Sequence, residues 1–346
     1  MGDTEYAVAL FEQELRLCGV DCDQTVAVLS QTQEHEFYAK AFLQAAQRLG
    51  AQCFQVSLPP SGGLGSGGWD VGVTPLAGNR PAIEALKQAD LVIDLVFLLF
   101  SVEQQEIQDS GTRVLLVLEP LDILGRLLPN ADLRQRVEVG AELLSAAETL
   151  RFTNPAGTDI TYQLGDFPVM TEYGFTNDPG RWDHWPSGFL FTGGNVDGVD
   201  GTVVLAPGDI IYPFDIYVRD PATLVVEGGR IVDFQGGVEA ELLADYMSGY
   251  DDENAYAISH IGWGLNDKMR WSALAGDGRG IGMEGRGFYG NVLFSTGPNQ
   301  ELGGKNDTAC HLDIPMRNCT LNLDGVPVVV EGDIVVDAMR PAPAGA

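Results

Sequence analysis

The sequence predicts an α/β N-terminal domain with a parallel sheet over residues 1–150, followed by a β-rich α+β C-terminal domain over 151–346 that carries a candidate metal site. Three observations predict this. Strand-like and helix-like patterns alternate through the first 150 residues, as βαβ units do. From Arg151 onward glycine, aspartate and aromatic residues become frequent and helical periodicity becomes scarce. A His-x-Asp pair, His311 and Asp313, lies in this second part.

Taken in order, TEYAVALFEQELRLCGV (4–20) places apolar residues at helical spacing. TVAVLS (25–30) is a β-branched run and reads as a strand. EFYAKAFLQAAQRLGA (36–51) is a helix and QCFQVSL (52–58) a strand. The loop over 59–72 contains SGGLGSGG. That run lacks the Gly-Lys-Ser/Thr ending of a phosphate cradle and is not placed as a dinucleotide fingerprint, so it reads as a flexible loop. NRPAIEALKQA (79–89) is a helix with proline in its first turn. DLVIDLVFLLF (90–100) and TRVLLVLE (112–119) are buried strands, and DLRQRVEVGAELLSAAETL (132–150) is a helix expected to close the first domain. Farther on, GTVVLAPGDIIYPF, ATLVVEGGRIVDFQGG and VPVVVEGDIVV are β segments punctuated by Pro-Gly, Gly-Gly and Glu-Gly turns. VEAELLADYMSGY (238–250) is a helix, and the tail MRPAPAGA is expected to be loose.

The chain has 346 residues, 45% of them hydrophobic, enough for a substantial core. Its 49 acidic and 20 basic residues give a net charge of −29. A phosphate-binding surface needs clustered Lys and Arg, so nucleic acid and anionic membrane are excluded as partners. No apolar run is long enough to span a bilayer. The acidic, amphipathic start lacks the pattern of a secretory signal, so a cytoplasmic protein is expected. Five scattered cysteines (Cys18, Cys22, Cys53, Cys310 and Cys319) argue against a disulfide framework and for structural thiols.

The chemistry concentrates on histidine. His35 lies among acids at a helix start and reads as a surface residue. His184, His260 and His311 lie in GRWDHWPSGFLF, YAISHIGWGLND and ACHLDIPMRNC. A lone histidine is more often a core residue than a ligand. Two histidines and one carboxylate, however, form the facial triad of non-haem Fe(II) oxygenases, with positions left open for substrate and O2. On an extended strand His311 and Asp313 point the same way. The third ligand is then His260 or His184, and spacing alone leaves zinc as compatible as iron.

Four longer segments go further. TEYGFTNDPGRWDHWPSGFLFT (171–192), AISHIGWGLN (257–266), RGFYGNVLFSTGPNQELGGK (286–305) and CHLDIPMRNC (310–319) resemble the 2,5-dihydroxypyridine 5,6-dioxygenases, ring-cleaving enzymes of bacterial nicotinate and nicotine breakdown. VAVLS, AAQRLGA and TRVLLVLEP in the N-terminal part fit as well, so the resemblance covers nearly the whole chain. The motifs are long and aperiodic, which makes the match specific. That family is similar in fold to the M29 metallo-aminopeptidases. The resemblance implies one Fe(II) held by His260, His311 and Asp313, with His184 freed for hydrogen bonding or for the substrate. It implies insertion of both atoms of O2 across the C5–C6 bond of a small aromatic N-heterocycle, 2,5-dihydroxypyridine, to give N-formylmaleamate. It also implies a homo-oligomer.

The substrate's hydroxyl groups are para and cannot chelate a metal together. The protein must therefore orient the ring by other contacts and remove a proton from it. Glu172 is the candidate for proton handling, and His184 could share that role. Arg286 is the candidate for neutralising anionic oxygen, and Ser295 for a hydrogen bond to substrate or oxygen. The competing reading pairs Glu172 with Arg286. One departure stands out: Phe100 occupies the place, after the apolar run of the N-terminal domain, where the resemblance leads one to expect a histidine. Phenylalanine can stack on a ring but cannot carry a proton, which leaves open a differently substituted hydroxypyridine. The alternative to a dioxygenase is an M29-type dinuclear metallo-aminopeptidase, with Glu239, Glu241, Glu284 and Glu301 as possible bridging carboxylates. A binding protein without activity is a third reading, against which the intact His260, His311 and Asp313 speak.

Overall fold

The structure, a computed structural model, describes residues 2–31, 35–59, 70–276 and 280–342. The chain divides into two compact units. One comprises Met1–Asn130 and Tyr173–Ser187, the other Ala131–Glu172 and Gly188–Ala346. The SGGLGSGG run and the last four residues of the tail lie outside the described residues.

The first unit is built on a five-stranded parallel sheet. Its strands run in the spatial order Gln52–Leu58, Thr25–Gln31, Leu91–Asp94, Arg113–Leu116 and Trp182–His184. Leu91–Asp94 and Arg113–Leu116 are buried at every position, as central parallel strands are. Helix Glu36–Arg48 buries Tyr38, Ala39, Phe42, Ala45 and Ala46 on one stripe, and Phe42 stacks on Phe11 with ring centroids 3.9 Å apart. Helix Arg80–Leu86 starts at Asn79, whose side chain accepts the Ala82 N–H, with Pro81 in the first turn.

Segment 90–100 is a strand only over Leu91–Asp94. The buried Asp94 carboxylate accepts the N–H groups of Val96 at 2.8 Å and Leu98 at 2.7 Å and turns the chain. Phe97 and Phe100 then take left-handed backbone angles, φ 64° and 66°. Hydrophobicity alone gave no hint of this turn. The helix Val102–Asp109 that follows was not foreseen either, although its signal is present. Ser101 accepts the Gln104 N–H at 3.1 Å, and Ser-x-x-Gln is a capping-box pattern.

The division expected at residue 150 falls at 130/131 instead, and helix Ala131–Ser145 belongs to the second unit. Its buried Arg136 donates to the Leu265 carbonyl at 2.6 Å and to Asp267 at 2.7 Å. Its Gly140 lies so close to the unit's core that an added Cβ would stand 2.8 Å from Leu190 Cδ2 and 3.3 Å from Trp263 Cζ2. Residues 173–187 return to the first unit because Trp182–His184 completes the parallel sheet beside Arg113–Leu116. The buried Asp183 fixes this return, accepting the N–H groups of Tyr173 and Gly174 and the guanidinium of Arg181. A three-residue strand is too short to leave a periodic signature.

The second unit holds two antiparallel sheets and a two-stranded ribbon. The eight-stranded sheet runs Arg230–Gly236, Ala222–Glu227, Val199–Leu205, Asp159–Gln163, Thr149–Thr153, Thr320–Leu323, Val326–Val330 and Asp333–Ile334. The five-stranded sheet runs Leu312–Met316, Val292–Thr296, Ile258–Gly264, Phe189–Thr192 and Met170–Glu172. Its three strands from Leu312, Val292 and Ile258 are buried throughout. The coarse expectation of a parallel α/β part and a separate β-rich part therefore holds. Among the described residues no helix is long and apolar enough to cross a membrane.

Candidate metal centre

The five-stranded sheet brings together the residues that the sequence placed 51 positions apart. His311 immediately precedes strand Leu312–Met316 and Asp313 is its second residue, so both project to one face. Asp313 is paired with Ser295 on the next strand. His260 comes from the third strand, where the register with Val292–Thr296 shifts between Ile258 and Ile261. Such a bulge re-aims a side chain without ending the strand. The Phe191 ring, 4.8 Å from the His260 ring, places His260 on the same face. Continuing the register outward, Gly262 pairs with Phe191 and Phe189 pairs with Glu172. Asp313, Ser295, Phe191, Phe189 and Glu172 thus share one face, with Glu172 two strands, or about 10 Å, from the His260 strand.

Within this group the donor atoms of His260, His311 and Asp313 all lie within 4.8 Å of one another, and all three residues are at most 9% exposed. His260 Nε2 is 3.5 Å from Asp313 Oδ1, and His311 Nε2 is 3.4 Å from Asp313 Oδ2. His311 Nδ1 lies 3.1 Å from the Thr296 carbonyl oxygen, which fixes the ring and turns Nε2 inward. Asp313 Oδ1 is buried without a hydrogen-bond partner. A buried carboxylate oxygen left bare beside two imidazole nitrogens fits a cation. Ligand bonds of about 2.1 Å set neighbouring donors about 3 Å apart, close to the 3.5 and 3.4 Å that separate Asp313 from the two imidazole nitrogens.

Electrostatics points the same way. Burial pushes the His260 imidazole down to about 4, with Asp313 opposing, so its lone pair is available at neutral pH. Burial alone would raise the Asp313 carboxyl, but His311, Arg286 and His260 hold it well below the ordinary carboxylate range. A neutral imidazole at His260 and an ionised carboxylate at Asp313 are protonation states suited to holding a metal ion.

Arg286, from the short helix Met283–Arg286, donates from Nε to Asp313 Oδ2 at 2.6 Å and from Nη1 to the Ile281 carbonyl at 2.6 Å. The Ser295 hydroxyl donates to the Leu312 carbonyl at 3.0 Å, so its proton is already committed. Glu172 is buried at the end of its strand. His184 is buried in the last strand of the first unit's parallel sheet, paired with Leu116. Of the carboxylates considered for a dinuclear site, Glu239 accepts the Arg219 N–H, Glu284 accepts the Arg270 N–H, and Glu241 lies on helix Val238–Ser248. Glu301 differs: its Oε1 is buried and bare, and burial together with the Asp313 charge pushes its carboxyl up to about 8. The other group of possible ligands among the described residues, Asp21, Cys22 and Asp23, is exposed.

Sequence reasoning missed Phe191, which packs on His260, and Tyr212, whose ring lies under the Arg286 guanidinium at 4.2 Å. The Phe-x-Phe alternation in SGFLFT carried a signal for the first. Nothing local marked the second.

Comparison with known proteins agrees over almost the full length. The family model described as NicX, 2,5-dihydroxypyridine 5,6-dioxygenase, matches residues 6–336. The 2,5-dihydroxypyridine 5,6-dioxygenase of Pseudomonas putida KT2440 is 48% identical over 332 residues, covering 94% of this chain and 95% of that protein. A solved structure of 2,5-dihydroxypyridine dioxygenase from Pseudomonas putida KT2440 superposes with a TM-score of 0.94 at 46% identity, covering 96% of this chain and 98% of that one. Wild-type AmpT from Thermus thermophilus superposes at 0.63 with 15% identity over 96% of this chain and 99% of its own, a likeness of fold alone. With its near-complete match to the family model and 48% identity to a member over 94% of its length, this chain belongs to the 2,5-dihydroxypyridine 5,6-dioxygenase family.

Proposed function

We propose that this protein is an Fe(II)-dependent dioxygenase that opens 2,5-dihydroxypyridine between C5 and C6 with O2. Both oxygen atoms enter the product, N-formylmaleamate, so substrate plus O2 balances without a further reductant. The observation that carries the reading is the convergence of His260, His311 and Asp313 on one sheet face in a chain of this family. Two imidazoles and one carboxylate leave coordination positions open, the arrangement suited to non-haem Fe(II). When bound, the ion would bring ring and O2 together and allow electron density to pass between them.

The chain's own residues have distinct tasks in this proposal. His260, His311 and Asp313 hold the ion. Glu172, on the same face two strands away, takes up or returns the ring hydroxyl proton. Arg286 keeps positive charge beside Asp313 and offsets anionic oxygen as it develops. Ser295 can only accept a hydrogen bond while its proton is held by Leu312. His184 is proposed as a partner in proton handling, to be tested by the pH–rate profile of His184→Gln. Phe100 cannot supply a proton, so ring deprotonation falls to Glu172 and His184.

The test is oxygen uptake by anaerobically purified, Fe(II)-loaded protein given 2,5-dihydroxypyridine, with loss of ring absorbance followed in parallel. One O2 consumed per ring opened is the expected result. Iron retention without oxygen uptake would overturn this substrate and direct the search to other hydroxypyridines.

A further inference from the structure

We infer that Tyr212 is a positioning residue for the metal centre, setting which oxygen of Asp313 is presented to the ion. The inference rests on the metal-binding reading above. It stands on three contacts, all in the second unit.

First, Tyr212 and Asp313 form an antiparallel bridge along the outer side of strand Leu312–Met316. The Tyr212 N–H donates to the Asp313 carbonyl at 2.9 Å, and the Asp313 N–H donates to the Tyr212 carbonyl at 3.3 Å. Directly opposed residues of an antiparallel pair send their side chains to the same face. The Tyr212 ring therefore stands beside the Asp313 carboxylate. Second, the Arg286 guanidinium carbon lies 4.2 Å from the Tyr212 ring centroid, a cation–π distance. Third, the same guanidinium donates from Nε to Asp313 Oδ2 at 2.6 Å. Tyr212 thus grips Asp313 twice, through its backbone and, by way of Arg286, through its ring.

The consequence is an asymmetric carboxylate. Oδ2 is occupied by Arg286, whereas Oδ1 has no hydrogen-bond partner and lies 3.5 Å from His260 Nε2. Without a supporting face, the guanidinium can swing and the carboxylate can turn with it. The surroundings are built for this ring. An added Cβ at Gly282 would stand 2.4 Å from Tyr212 Cε1, and one at Gly285 would stand 2.6 Å from its hydroxyl. Both glycines flank the turn that carries Arg286, so the Arg286 helix is shaped to lie against Tyr212.

The test uses anaerobic titration of the metal-free full chain with Co(II), read by its visible absorption bands and by binding affinity. Tyr212→Leu keeps apolar bulk but removes the aromatic face. It should weaken Co(II) about tenfold, the size typical of losing a partner behind a ligand, and should shift the bands. Tyr212→Phe keeps the face and should retain the wild-type bands and affinity. Wild-type bands and affinity in Tyr212→Leu would overturn the inference. Equal losses in Tyr212→Phe and Tyr212→Leu would overturn it too, since the hydroxyl rather than the ring would then be responsible. If Tyr212→Leu does not fold, Arg286→Lys serves instead, because an ammonium cannot lie flat on the ring and hold Oδ2 together. Unchanged bands in Arg286→Lys would overturn the positioning role. Failure of the wild-type chain to bind Co(II) would instead remove the metal-binding reading, and this inference with it.

Discussion

Arg286 and Asp313 form a buried ion pair, Nε to Oδ2 at 2.6 Å, in which the carboxylate is also a candidate metal ligand. The pair gives the metal-free centre a counter-charge. Arg286→Ala should therefore destabilise the metal-free protein, by less than the ~3–5 kcal/mol of a buried charge left wholly unpaired, because His311 and His260 still face the Asp313 carboxylate. A bound divalent cation supplies positive charge in place of the guanidinium, so the loss should shrink when metal is present. Urea unfolding of wild type and variant, each with EDTA and with Co(II), checks this. An equal loss in both states would mean that Arg286 acts only through packing.

Removal of a ligand should act on metal before it acts on fold. His311→Ala and Asp313→Ala should each lose metal retention and turnover together, read by metal analysis after gel filtration. In the wild type, metal at 100 times its Kd should raise unfolding stability by about 2.7 kcal/mol. The same addition should leave the two variants unmoved. Full turnover in either would remove that residue from the ligand set.

His260 gives the metal-free protein an acid limit. Its imidazole is held at about 4 by burial, against an ordinary value of 6.5. Between those pH values the unfolded chain binds a proton that the folded chain refuses. Stability is thus fully present above about 6.5 and falls as pH drops toward 4. The full difference amounts to about 3 kcal/mol. His260→Gln should flatten that stretch of the stability–pH curve measured in EDTA.

Much of this site was legible in the sequence, and the reasons are physical. His311 and Asp313 are two apart on one strand, so their alliance follows from strand geometry. His260 is 51 residues away, and only the long match around SHIGWG pointed to it. The bulge that aims it is a register defect, which no hydrophobic pattern records. The parallel sheet was legible from alternating patterns, but its fifth strand, Trp182–His184, comes from a distant excursion of the chain. Helix Ala131–Ser145 was read correctly as a helix, yet its ownership depends on Gly140 and Arg136 meeting residues far along the sequence. Tyr212 was invisible because its contacts with Asp313 and Arg286 span 101 and 74 residues respectively.

Glu301 gives the metal-free protein an alkaline limit. The residue is partly exposed, but its Oε1 is sealed from solvent. Burial and the Asp313 charge raise its carboxyl to about 8, against an ordinary 4.5. Between these values the folded state keeps a proton that the unfolded state has released. Stability present below 4.5 is therefore lost as pH rises toward 8. Glu301→Gln, which cannot ionise, should unfold at a higher temperature than wild type at pH 9 in EDTA and at the same temperature near pH 4. A wild-type difference between the two pH values that persists in the variant would place its origin elsewhere.

The role proposed for Glu172 separates holding the metal from using it. The Glu172 strand lies two away from that of His260 on the same sheet face, and its register through Phe189 to Gly264 sets Glu172 four residues along from His260, too far to ligate an ion held by His260, His311 and Asp313. Glu172→Gln preserves shape and hydrogen bonding while removing the basic carboxylate. It should retain wild-type metal content and slow turnover by 10²–10⁴-fold, about the share that one general acid–base group supplies. The limb of the pH–rate profile that belongs to the carboxyl should disappear with it. Loss of metal in this variant would move Glu172 into direct contact with the ion. Undiminished turnover would assign the proton to another group, with His184 the first to examine.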